Sequence, residues 1–129
     1  MTALISRDEL RKAIEAGEVT VVDALGGEYW AKQHLPGAVP LAPGEVTARA
    51  AEVLPDRNAA IVTYCSNEAC PNSQQVARAL TGLGYGDVRK YAGGIEDWLG
   101  AGLPVERTIN TDSSPAVIES APATYQATL

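Results

Sequence analysis

AAIVTYCSNEACPNSQQVARALTGLG, residues 59–84, decides the fold. A short apolar run, rich in β-branched residues, ends at Cys65; a polar segment follows, and an amphipathic helical pattern starts at Ser73. An uninterrupted apolar strand of this length is the kind buried on both faces of a parallel sheet. Strand, loop and helix in that order form one βα unit.

The same rhythm extends in both directions. VTVVD (19–23) is a second buried-strand pattern, and SRDELRKAIEAG (6–17) before it is a helix. Ser6 and Glu9 have capping-box spacing, and Gly17 suits the helix stop. After Asp23, about one helical turn is expected around 28–33, with Tyr29 and Trp30 as its apolar anchors. A Pro36-Gly37 turn and a short strand near 38–41 come next. Residues 43–55 place Val46, Ala50 and Val53 or Leu54 on one helical face, 87–94 read as a further strand, and 95–106 as a short closing helix ended by Gly-Leu-Pro. Alternating strands and helices argue for an α/β domain with a mainly parallel sheet covered on both faces. Residues 107–129, rich in Thr, Ser, Ala and Pro, sustain no periodicity. They are expected to be a tail outside a domain of residues 1–106.

The bulk composition narrows the function. The chain has 129 residues, 46% hydrophobic and 20% charged, with a net charge of -6 and a pI near 4.7. That charge opposes nucleic acid and anionic membranes. No apolar stretch approaches the ~20 residues of a membrane span, and the N-terminus has no signal core, so a cytoplasmic setting with reduced thiols is expected. Two cysteines and one histidine are too few for a structural zinc site. Cys65 and Cys70 are also spaced too widely for a Cys-x-x-Cys redox motif.

In open α/β sheets, ligands bind beyond the carboxyl ends of the strands. Cys65 occupies such an end. A loop there can turn successive N–H groups inward, and the following helix adds positive potential; both stabilise a thiolate. Asn72, with Gln75 three residues on, is the expected N-cap of that helix. Position alone leaves open an inert thiol packed at a strand end.

Several motifs in order resemble the rhodanese family of single-domain sulfurtransferases, over about residues 5–106. VVDALGGEYWAKQHLPGAVPL (21–41) is similar to its first signature, VTYC (62–65) to its active-site strand, and SQQVARALTGLGYGDVRKYAGGIEDWLGAGLPVE (73–106) to its closing motifs. The resemblance implies a parallel sheet of about five strands with helices on both faces. It implies Cys65 as the persulfide-forming nucleophile, cradled by Ser66, Asn67, Glu68, Ala69 and Cys70. The implied partners are a small-molecule donor such as thiosulfate or a persulfide, a thiol or cyanide acceptor, or a sulfur-accepting protein, and the implied mechanism requires no metal or organic cofactor.

Departures from the family pattern are informative. Leu25 stands where a basic residue is common, the loop SNEACPN carries no cation, and Glu68 adds an anion. Ser73 lies two positions farther from the cysteine than in the commonest pattern. Cys70 has three readings: an inert loop residue, a resolving thiol, or a sulfur relay. Asp23 is expected to accept bonds from loop backbone, and His34 to anchor the Pro-Gly turn. Tyr91 and Trp98 belong to the core or the pocket rim, and Gly93-Gly94 to a tight turn at the same sheet edge. Phosphatase chemistry would need Arg six residues after the nucleophile, where Pro71 stands. A non-turnover persulfide carrier, or a redox or sulfide-sensing module, is the competing reading.

Overall fold

The computed structural model describes residues 3–107. The strands are β1 (Ala3–Leu4), β2 (Thr20–Asp23), β3 (Val39–Pro40), β4 (Ala60–Tyr64) and β5 (Asp87–Lys90). The helices are α1 (Arg7–Ala16), α2 (Gly27–Lys32), α3 (Val46–Val53), α4 (Asn72–Gly82) and α5 (Gly94–Gly100), and a 3-10 turn at Pro43–Glu45 leads into α3. The strands form one sheet in the order β1-β5-β4-β2-β3, with every ladder parallel. No helix among the described residues is long and apolar enough to cross a membrane.

Alternation along the central strands divides the core. Val22 and Ile61 join Val46, Ala50, Val76 and Leu80 on the α3/α4 side. Val21, Val62 and Tyr64 face the other side, with Leu10, Ile95 and Trp98. With a side-chain period of two, Thr63 and Cys65 fall on the face of Ile61, beneath α4.

Helix α1 begins and ends as its sequence predicts. Ser6 Oγ accepts from the Glu9 N–H at 3.1 Å, Glu9 Oε1 accepts from the Ser6 N–H at 3.1 Å, and Gly17 takes a left-handed φ of 70°. Two expectations need correction, and one strand is added. The strand β1 was not foreseen, because two residues show no periodicity; it forms by pairing with Arg89 and Lys90 of β5. The segment 43–55 is a 3-10 turn followed by a helix, not a single helix. Asn72 is not an N-cap: it lies inside α4, Pro71 precedes the helix, and the Asn72 amide group donates to the Ala24 carbonyl at 3.1 Å. Apart from Arg107, the expected tail lies outside the described residues.

One buried polar network ties the carboxyl ends of β2 and β4 together. The Tyr64 hydroxyl donates to Asp23 Oδ2 at 2.8 Å and accepts from the Leu35 N–H at 3.1 Å, while Asp23 Oδ1 accepts from the Leu25 N–H at 2.8 Å. Burial holds the Asp23 carboxyl above its ordinary 3.8, and the Leu25 amide and Tyr64 hydroxyl pull it partly back. Because the folded state keeps this proton longer than the unfolded one, Asp23 costs stability as pH rises through the window above 3.8. Tyr64→Phe leaves the Leu35 amide and the carboxylate each short of a partner. It should lower stability by about 1–3 kcal/mol in urea unfolding, and the loss of stability with rising pH should extend to higher pH than in wild type.

Candidate active site

Cys65 is the residue after β4 and is 1% exposed. Its exit from the sheet is pinned by α5: the Ile95 N–H donates to the Cys65 carbonyl at 2.9 Å, and the Glu96 N–H to that of Ser66 at 3.0 Å. This approach is so close that a Cβ on Gly94 would lie 2.6 Å from Cys65 O and Ser66 O. Gly94 also has a φ of 68°, so both space and conformation demand glycine.

On the other side, Cys65 Sγ meets the start of α4. It lies 3.3 Å from the Cys70 carbonyl, which accepts from the thiol, and 3.4 Å from Ser73 Oγ. Ser73 is itself held in place, since its carbonyl accepts from the buried Thr63 hydroxyl at 3.0 Å. No side chain caps α4, which leaves its opening amides for the sulfurs. The Ser73 N–H and hydroxyl favour a Cys65 thiolate, but burial and the hydrogen-bonded neighbour Cys70 push this thiol up overall.

Cys70 is half-buried, and both thiols are free. Burial alone would raise Cys70, yet hydrogen bonds from the Cys65 thiol, the Asn72 and Ser66 amides and the Ser66 hydroxyl together hold it below the ordinary thiol range. The loop therefore favours a thiolate on Cys70 over one on Cys65.

The loop residues named from sequence divide into two groups. Ser66 and Cys70 surround the sulfurs. Asn67, Glu68 and Ala69 instead line an open depression beside them, together with Gly93, Glu96 and Asp97. Asn67 builds the turn: its side-chain oxygen accepts from the Ala69 N–H at 2.9 Å, its carbonyl from the Cys70 N–H at 3.2 Å, and its amide group donates to Glu96 Oε2 at 3.2 Å. The depression carries three carboxylates, and the adjacent Arg7 pairs with Asp97 at 3.2 Å. Asp97 also accepts from the Tyr91 hydroxyl.

Asp23 accepts from Leu25 and Tyr64 as described above. His34 is buried, stacks on Trp30 with ring centroids 4.5 Å apart, and donates from Nδ1 to the Trp30 carbonyl at 2.7 Å. Its backbone forms an antiparallel bridge with Glu106. Sequence reasoning missed Ser73 and Asn72 as partners of the sulfurs. The period-two pairing of Thr63 with Cys65 was the signal available, since it places both under the first turn of α4.

A family model described as the rhodanese-like domain matches residues 6–101. The HTH-type transcriptional regulator Rv0324 of Mycobacterium tuberculosis is 37% identical over 102 residues, which make up 79% of this chain and 44% of that protein. The chain thus spans less than half the length of that relative. The thiosulfate sulfurtransferase PspE of Escherichia coli is 33% identical over 76 residues, covering 59% of this chain and 70% of its own. Among solved structures, the BH2092 protein of Bacillus halodurans superposes with a TM-score of 0.76 at 27% identity, over 83% of this chain and 78% of that one.

Three outcomes follow from the geometry and electrostatics. Gly94→Ala should lose at least about 2 kcal/mol in thermal or urea unfolding, from left-handed strain plus the clash, and should open Cys65 to alkylation. In wild type, limiting iodoacetamide near neutral pH should label Cys70 before Cys65. Cys70→Ser removes the neighbour that raises the Cys65 thiol, so the pH midpoint of Cys65 alkylation should move down, read by peptide mass mapping.

Proposed function

The chain belongs to the rhodanese-like domain family, and from that premise we propose that it is a sulfurtransferase working through a persulfide on Cys65. The observation that carries this reading is the placement of Cys65 Sγ at the carboxyl end of a central strand, against the uncapped start of α4 and within reach of Ser73 Oγ at 3.4 Å. In the first half-reaction the Cys65 thiolate attacks the sulfane sulfur of a donor. The bond from that sulfur to the rest of the donor breaks, sulfite or a thiolate departs, and Cys65 carries a persulfide. In the second, an acceptor thiolate or cyanide takes the outer sulfur and Cys65 leaves as a thiolate. The Ser73 hydroxyl and amide stabilise the anionic Cys65 sulfur before its attack in the first half-reaction and as it leaves in the second.

The surroundings favour a particular donor. Glu68, Glu96 and Asp97 present carboxylates in the depression beside the loop, and no Lys or Arg lies in the segment 66–72. Like charge there opposes a dianion such as thiosulfate. A neutral or larger persulfide, small-molecule or protein-bound, suits the site better.

A second reading, a persulfide carrier or sulfide-sensing module without turnover, draws on the second thiol in the loop. It also draws on a relative that is a transcriptional regulator and contains more than this chain spans.

Steady-state transfer from thiosulfate and from glutathione persulfide separates the two. Cys65→Ser should lose at least about a thousandfold in transfer with both donors, as expected for removal of a nucleophile. Glu68→Gln should raise kcat/KM for thiosulfate severalfold and leave glutathione persulfide nearly unchanged. Transfer surviving in Cys65→Ser would refute the nucleophile. A chain that loads sulfur but never turns over favours the sensing module.

A further inference from the structure

The second thiol sits where an acceptor would have to arrive. Cys65 is 1% exposed, so an external thiol must enter a closed corner to reach its sulfur. Cys70 already occupies that corner. Its carbonyl accepts from the Cys65 thiol at 3.3 Å, and Cys70 packs against the same apolar cluster as Cys65.

This placement is built by the loop. The turn around Asn67, fixed through Ala69 N–H at 2.9 Å and Cys70 N–H at 3.2 Å, reverses the chain toward Cys65. The Ser66 N–H and hydroxyl and the Asn72 N–H then lower the Cys70 thiol. Those donors would otherwise be available to a substrate anion. Spending them on a cysteine side chain prepares that side chain to act as a nucleophile, and holding it in contact gives it a large effective concentration over any free thiol.

We propose that Cys70 is the resolving thiol of the Cys65 persulfide, so that the loop finishes as a Cys65–Cys70 disulfide and the transferred sulfur leaves as inorganic sulfide. The step rests on the Cys65 persulfide reading. Cys70 thiolate attacks Cys65 Sγ, the Cys65–Cys70 sulfur–sulfur bond forms, and the bond from Sγ to the outer sulfur breaks with its electron pair on the leaving hydrosulfide. The sulfane sulfur is reduced to sulfide and the two cysteine sulfurs are oxidised to the disulfide. An external dithiol reduces that disulfide and restores both thiols for another cycle. Overall, a sulfane sulfur and a dithiol are converted to sulfide and a disulfide.

The test uses the full reduced chain, freed of reductant and mixed with stoichiometric glutathione persulfide, with intact mass and sulfide read together against a protein-free control. Wild type should lose the mass of two hydrogens, release one sulfide per chain, and recover on adding dithiothreitol. Cys70→Ser and Cys70→Ala should each keep the mass of one added sulfur and release sulfide only at background. Wild type that keeps an added sulfur, on Cys65 with Cys70 still alkylatable or on Cys70 itself, overturns the resolving role. So does sulfide release by the Cys70 variants at the wild-type level. If the Cys70 variants take up no sulfur while Cys65→Ser does, the Cys65 persulfide reading fails as well.

Discussion

The site depends on how the chain leaves β4, and that path is set by α5. Two amides at the start of α5 hold the carbonyls of Cys65 and Ser66, and the missing side chain of Gly94 lets them come close enough. In a trans peptide the carbonyl and the next N–H point in opposite directions. Fixing Cys65 O on α5 therefore turns the Ser66 N–H away from α5 and into the loop, where it helps lower the Cys70 thiol. A contact made on one side of the backbone thus supplies a donor on the other.

The two faces of the sheet divide the work. On the face of Tyr64, buried polar groups join Asp23, Leu25 and Leu35 and keep the ends of β2 and β4 level. On the face of Thr63, the hydroxyl holds the Ser73 carbonyl and seats α4 over Cys65. The same two-residue alternation puts structural groups and reacting groups on opposite sides of one strand.

Much of the framework was legible in the sequence because it is written locally. Apolar runs at 19–23 and 59–65 mark β2 and β4, and Ser6, Glu9 and Gly17 mark both ends of α1. Cys65 stands out by its place between strand and helix. Other features are set by contacts distant in sequence. The strand β1 exists through its pairing with β5, and Asn72 is drawn away from capping by the Ala24 carbonyl. The direction of the loop amides was equally hidden, since it follows from the approach of Gly94 to Cys65. Reading the segment from Ser66 to Cys70 as one cradle could not show that the Asn67 turn would separate it into sulfur-facing residues and an acidic rim.

Among the described residues, both borders of the sheet are very short. β1 and β3 have two residues each, and β3 includes Pro40, which has no amide hydrogen to donate. The long strands β2, β4 and β5 are all interior. An approaching strand therefore finds almost no ladder to extend, and growth of the sheet from one molecule into the next is blunted at either side. A domain finished in this way can stand beside unrelated domains without recruiting their strands. That property suits a unit that recurs, as in its mycobacterial relative, as less than half of a longer chain.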